Sequence, residues 1–441
     1  MARSISVYDR MCWPEGELER SLAGGAHRRE LAAWFGESAY RRLASLARQA
    51  AEALQRPALP RRSARALPVV YVIPGLLGSQ LGWEGRSGQS RDLLWLDADD
   101  LCNGRLLSLR WRSGGGTLRP LGAIPQTYLA LKLRLAAAGY RVVVYDYDWR
   151  ADIGLIAVQL AHRLQREEGV RLALIGHSMG GLVARAALAR CASATARRIE
   201  RLIGLGTPHG GSIGAVQALR GTYPALLRLA ALDQRHDARA LSERVFASFA
   251  SIYQLLPCPL DTLDLSDPGS WPRSGPQPQR RLLASAQGFQ ATLPPADARF
   301  INIIGAGRRT VTDLSVRNDQ FSYQISDAGD GTVPVERARL PGARDYSLAC
   351  EHSELPRSPR VAAALIDLLR TGRTARLRSG SPIRASRRVE VSDAMLSRAF
   401  QTKVDWHGLS AAARRRYLND LNAPPAIYGV PRSRATRLAR R

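Results

Sequence analysis

Apolar residues recur in two patterns along this chain. Short runs apolar at nearly every position, VVYVI at 69–73, RVVVY at 141–145 and RLALIG at 171–176, read as strands buried on both faces. Between and after them lie segments with apolar residues at three- and four-residue steps, including a helix ending near Gly139 and LVARAALARC at 182–191. RIERLIGLGTP at 198–208 supplies a further strand. Helix alternating with buried strand predicts an α/β fold: a mostly parallel central sheet with helices on both faces.

The alternation lapses between about 211 and 298, where a helical stretch at 224–256 is followed by the loop DPGSWPRSGPQPQ. Such an insertion is expected to form a helical cap over about 212–298. The sheet pattern resumes with RFINIIGAG, FSYQI and RDYSLAC, and a closing helix runs through PRVAAALIDLLRTG. Upstream, helical spacing over 28–54 predicts an arm, and RPALPRRSARALP a linker. Past Thr374 the composition turns basic, with two short helical stretches near 394–400 and 410–421. The expected organisation is an arm and linker at 1–65, a main domain at 66–371, and a basic C-terminal extension, separate from the core, at 372–441.

Composition changes this picture little. At 441 residues and 45% hydrophobic content, one large core with appendages is expected. The formal charge of +26 comes almost wholly from arginines scattered from Arg3 to Arg441, with Lys132 and Lys403 the only lysines. Scattered arginine is not a binding stripe, so nucleic acid is not expected as a partner, while peripheral contact with an anionic membrane surface fits the charge. Five cysteines without CxxC spacing argue against a zinc site or a disulfide framework. The N-terminal residues have no apolar core of the signal-peptide kind, and no run is long enough to span a bilayer, so a cytoplasmic location is expected.

The candidate chemistry sits where a predicted strand becomes a predicted helix. Gly176-His177-Ser178-Met179-Gly180 is a G-x-S-x-G sequence in that context, which exposes a serine at a tight turn. A serine hydroxyl needs a base, an orienting carboxylate and donors for the developing oxyanion. Met179, after the serine, would give one backbone N–H; the loop VIPGLLGSQL would give the second from Leu76, with Gly75 and Gly78 permitting close approach. The base should follow late in the chain, and His352, after a strand-like run, is the histidine so placed. Asp330 in SDAGDGTVP is the candidate acid, Asp327 its nearest rival, though Asp-Gly is also a common turn. His177 within the elbow, His209 in GTPHGG and Gly75 in the loop after the first strand are candidate substrate contacts. Apolar cap residues Leu226, Leu229, Phe246, Phe249, Tyr253 and Leu255 are candidates for the lining of a substrate pocket.

Taken in order, IPGLLGSQL, YDYDWR, GHSMGGLVAR, GTPHGGS, GDGTVP and EHSELP resemble the motifs of the lecithin:cholesterol acyltransferase-like family of α/β-hydrolases, over about 66–371. The resemblance implies an α/β-hydrolase fold, a triad of Ser178, Asp330 and His352, and oxyanion N–H groups from Leu76 and Met179. It also implies that Tyr147, Asp148, Trp149 and Arg150 lie near the site, with Tyr147 and Trp149 as substrate contacts. The implied activity is transfer of a fatty acyl group from a hydrophobic lipid ester to an alcohol or water, without metal or organic cofactor. The alternatives are a carboxylesterase acting on small soluble esters and, in another class, a non-catalytic scaffold binding anionic lipid or nucleic acid through the arginine-rich tail.

Overall fold

A computed structural model of the chain describes residues 8, 12–13, 16–55, 68–84, 91–111, 118–167, 169–260, 263–380, 388–399 and 402–428. Most of the linker after the arm and the last thirteen positions lie outside the described residues. In chain order the strands are β1 (Val69–Ile73), β2 (Ser79–Glu84), β3 (Arg91–Trp95), β4 (Arg119–Ala123), β5 (Val142–Val144) and β6 (Leu172–His177). They continue with β7 (Ile199–Leu205), β8 (Phe300–Ala306), β9 (Thr310–Arg317), β10 (Gln320–Ser326), β11 (Arg344–Ala349), β12 (Arg378–Ser379) and β13 (Val389–Ser392).

Side-chain alternation explains how the central strands are covered. In β1, Val70 and Val72 join Ala173 and Ile175 of β6 and Ile203 of β7 against Tyr128, Leu131 and Leu135 of helix Pro125–Ala137 and Val361, Leu365 and Leu368 of helix Pro359–Thr371. Val69, Tyr71 and Ile73 face the other way, into the core shared with helices Ile153–Gln165 and Met179–Arg190. Both strand faces are therefore buried, as an uninterrupted apolar run requires. The sheet runs β12-β11-β8-β7-β6-β1-β5, parallel throughout except for β12 at one edge. This mostly parallel sheet with helices on both faces is the α/β-hydrolase fold.

Several expectations are refined. FSYQI does not continue the central sheet: β10 pairs antiparallel with β9 and β13 in a separate three-stranded sheet. A second small antiparallel sheet, β3-β2-β4, which the sequence pattern did not predict, frames the loop after β1. The arm breaks at Gly36, whose φ of 86° and ψ of 143° are not helical, giving helices Arg28–Phe35 and Glu37–Gln55 after an earlier helix Glu17–Gly24. Tyr40, Leu43, Ala44, Ala47 and Ala50 pack on Leu129 and Leu133, so helix Pro125–Ala137 is sandwiched between arm and sheet. The cap divides into short helices, Pro224–Leu232, Ala238–Arg244 and Ala250–Gln254 among them, preceded by Ile213–Arg220.

The tail is not separate from the core. Beyond β12 and β13, Lys403 donates to the carbonyls of Ala230 at 2.8 Å and Asp233 at 2.5 Å, Trp406 Nε1 donates to Asp99 at 2.8 Å, and Arg228 donates to the Ala423 carbonyl at 2.6 Å. The buried centre of this attachment is Arg220, whose Nε lies 3.0 Å from Asp393 Oδ2. Its other nitrogens donate to carbonyls of Pro272, Ser274 and Pro276, and Tyr323 donates to Asp393 Oδ1 at 2.6 Å. A second buried polar line crosses the sheet: His209 Nε2 donates to Asn302 Oδ1 at 3.0 Å, and Asn302 Nδ2 donates to Asp345 at 3.0 Å.

Two outcomes follow for stability. Asp393→Ala strands the buried Arg220 charge and is expected to cost about 3–5 kcal/mol; an unchanged denaturation midpoint would show that the tail is not anchored there. Burial holds His209 down to about 4, against an ordinary value of 6.5. Below pH 6.5 the unfolded chain therefore takes up a proton that the folded ring refuses, so stability falls with falling pH over that window, by up to about 1.4 kcal/mol per unit. Urea unfolding from pH 7 to 4.5 should show a shallower decline for His209→Gln than for the parent chain.

Candidate active site

β6 ends at His177 and helix Met179–Arg190 begins two residues later, leaving Ser178 alone at the turn with φ 54° and ψ −127°. A non-glycine residue in this region carries roughly 1–3 kcal/mol of backbone strain and persists only where its surroundings enforce it. Here the enforcement is lack of room. A Cβ at Gly176 would lie 2.4 Å from the Gly181 Cα, one at Gly180 2.2 Å from the Ile73 carbonyl, and one at Gly181 1.9 Å from Thr207 Oγ1. The glycines of this motif thus serve close approach, and the strain falls on the serine. Ser178 N–H donates to the Leu205 carbonyl at 2.9 Å, tying the turn to β7.

The loop after β1 lies directly against the serine: a Cβ on Gly75 would sit 2.8 Å from Ser178 Cβ. Protein donors take up its carbonyls one after another. Tyr147 Oη donates to Pro74 at 2.5 Å, Gly78 N–H to Gly75 at 3.0 Å, Trp95 Nε1 to Leu77 at 2.9 Å, Ile124 N–H to Gly78 at 3.0 Å, and Trp149 Nε1 to Ser79 at 2.9 Å. By contrast, among the described residues no acceptor is paired with the N–H of Leu76 or of Met179. The Met179 N–H also opens a helix, where the partial positive charge of the dipole favours an anion.

His352 follows β11, and its Nδ1 is 2.7 Å from Asp330 Oδ2. Asp330 is buried, and its other oxygen accepts the N–H groups of Thr332 at 3.0 Å and Val333 at 2.7 Å. The His352 N–H returns to the Asp330 carbonyl at 2.9 Å. Two-point attachment fixes both ring and backbone. Asp327, the rival acid, instead offers its backbone carbonyl to Gly307 N–H at 3.1 Å.

Ser178 and His352 border one cavity of about 920 Å³. Leu76, Leu77 and Gly78 form part of its wall, and Phe246, Ile252 and Leu255 of the cap another. Its outer wall comes from segments that sequence reasoning did not connect with the site: Trp34 and Phe35 of the arm, and Arg414, Leu418, Leu421 and Asn422 of the tail. No periodicity could have signalled this, because the contact is made across the whole length of the chain.

Several candidate substrate contacts have other positions. Tyr147 and Trp149 are buried beneath the loop after β1 and do not line the cavity; Arg150 is likewise buried, with its guanidinium on Asp148 and the Leu109 carbonyl. His209 is buried away from the cavity on Asn302. Gly75 touches the serine rather than the open space. His177 borders the cavity, but both ring nitrogens are committed, Nδ1 to Tyr128 Oη at 2.9 Å and Nε2 to the His352 carbonyl at 3.1 Å. Burial and the neighbouring His352 hold its pKa well below the ordinary imidazole range, so the ring is neutral. Of the cap residues, Phe246 and Leu255 reach the cavity, whereas Leu226, Leu229, Phe249 and Tyr253 are core.

Comparison with known proteins places this geometry in a family. A family profile described as lecithin:cholesterol acyltransferase matches residues 127–361, more than half of the chain. Among solved structures, the chain is similar to Bacillus licheniformis lipase BlEst2 in mature form, at 17% identity and a TM-score of 0.37, covering 70% of this chain and 96% of that one. It is also similar to a chain of the Tle4–Tli4 complex, at 16% identity and a TM-score of 0.43, covering 70% and 99%. No curated protein sequence matches it. With the parallel sheet, the serine turn and the matched span together, the chain belongs to the lecithin:cholesterol acyltransferase family, with the lipid acyltransferase or lipase-type hydrolase activity of that class.

Proposed function

We propose that this chain transfers a fatty acyl group from a hydrophobic lipid ester to an alcohol or to water through an acyl-enzyme on Ser178. The observation that carries the reading is a histidine held on a buried carboxylate at 2.7 Å and bordering the same cavity as a serine with φ 54°. In this mechanism His352 removes the Ser178 proton as Oγ attacks the ester carbonyl, and Asp330 keeps Nδ1 protonated and stabilises the imidazolium that forms. The oxyanion is met by the N–H groups of Leu76 and Met179, and His352 then protonates the departing alcohol. The second alcohol, or water, enters by the same route in reverse and carries the acyl group away.

The size and lining of the cavity support a long apolar acyl group in preference to a small soluble ester. Membrane contact, on this reading, is peripheral; among the described residues no helix is long and apolar enough to cross a bilayer.

Ser178→Ala should lose fluorophosphonate labelling and lower kcat/KM by about 10⁴-fold or more; a variant that is still labelled would refute the assignment. Across acetyl, butyryl and octanoyl p-nitrophenyl esters, kcat/KM should climb by up to about fourfold per added methylene, the equivalent of burying each CH₂ for about 0.8 kcal/mol. A profile that is flat or falls with chain length would favour the small-ester carboxylesterase. Product analysis with phosphatidylcholine and an added lipid alcohol tells the two acceptors apart, since only transfer leaves the acyl chain on the alcohol.

A further inference from the structure

The hydrogens around His177 can be assigned one by one. The His352 carbonyl can only accept, so His177 Nε2, 3.1 Å away, carries a hydrogen and donates it. Since the ring is neutral, Nδ1 is an acceptor. Tyr128 Oη, 2.9 Å from Nδ1, therefore donates to it, and the same oxygen accepts the N–H of Gly75 at 3.0 Å. The result is an unbroken line from the Gly75 N–H through Tyr128 and His177 to the backbone of His352. Its members come from the loop after β1, helix Pro125–Ala137, the end of β6 and the segment after β11. Tyr128 and His177 are both buried, so water does not readily replace either partner.

We infer that Tyr128 and His177 are positioning residues that hold the oxyanion loop and the general base in register on either side of Ser178. The inference rests on the triad reading above. Tyr128 holds the N–H of Gly75 and Gly78 N–H holds the Gly75 carbonyl, so both backbone groups of Gly75 are fixed, and its carbonyl shares a peptide plane with the Leu76 N–H. His177 fixes the carbonyl of His352, whose own N–H is held by Asp330. The line includes the nucleophile's chain neighbour and ends on the backbone of His352, and the His177 ring also lies 4.9 Å from the His352 ring, centroid to centroid, so its effect is on the alignment of the base. Alignment matters because a displacement of about 1 Å at the reacting groups costs about 10²-fold in rate.

The test compares Tyr128→Phe, His177→Leu and His177→Gln, with active sites counted by fluorophosphonate titration so that rates refer to folded, competent enzyme. In Tyr128→Phe and His177→Leu, kcat per titrated site should fall about 10- to 100-fold, well beyond any change in KM, because both residues border the cavity but act on the alignment of the reacting groups. His177→Gln offers an amide N–H to the His352 carbonyl and an oxygen to Tyr128, and should recover most of the loss seen in His177→Leu. Titrated Tyr128→Phe and His177→Leu that turn over within about twofold of the parent would overturn the proposal, including when they are less stable, since that is a purely structural role. If His177→Leu does not fold, Tyr128→Phe, which removes a single oxygen, decides alone. Ser178→Ala run alongside separates the two levels: activity surviving in that variant sinks the triad itself, whereas an inactive Ser178→Ala beside fully active relay variants sinks only the relay.

Discussion

The structure around the candidate site depends on one steric constraint, the absence of room for side chains where β6 meets the helix Met179–Arg190. The first turn of that helix is pressed against the ends of β1 and β7, so positions 176, 180 and 181 accept no Cβ. Chain direction must then reverse within one residue, and that residue is the serine, forced to a positive φ. The strain is sustained because the neighbours are the backbone at the end of β1 and Thr207 just past the end of β7, both anchored by the sheet and its two covering layers. On the proposed mechanism, a serine hydroxyl fixed by such packing is preorganised, its freedom having been lost on folding and not in the reaction.

A second consequence concerns the loop beside the serine. Its carbonyls at 74, 75, 77, 78 and 79 all have protein donors, three of them the polar tips of Tyr147, Trp95 and Trp149. Buried aromatic side chains with one polar tip suit this task, since a large apolar body secures each donor in the core. With these acceptors satisfied from below, the Leu76 N–H is left without an acceptor among the described residues, a polarity that suits a negative charge.

Much of the central architecture was legible in the sequence because a strand buried on both faces needs unbroken apolar runs, and such runs are conspicuous at 69–73 and 172–175. The small sheet β3-β2-β4 was not legible: Ser79–Glu84 and Arg119–Ala123 carry glycine, proline and mixed polarity, and their pairing is set by tertiary context. The break in the arm at Gly36 was hidden because the apolar spacing continues across it. At the site, Ser178, His352 and Asp330 could be named from local motifs and order along the chain. Tyr128 could not, since a tyrosine on an amphipathic helix gives no sign that its hydroxyl meets a glycine and a histidine on two other elements. Tyr147 and Trp149 were misread for a related reason: a motif marks proximity to a site without saying which side of the backbone its side chains occupy.

The tail helix Ala411–Asn419 forms part of the cavity wall, yet it follows His352 by a long stretch of chain. During synthesis the central sheet, the serine turn, Asp330 and His352 all emerge before this part of the wall does. The tail therefore adds its share of the wall last, after every other residue that borders the cavity has been made.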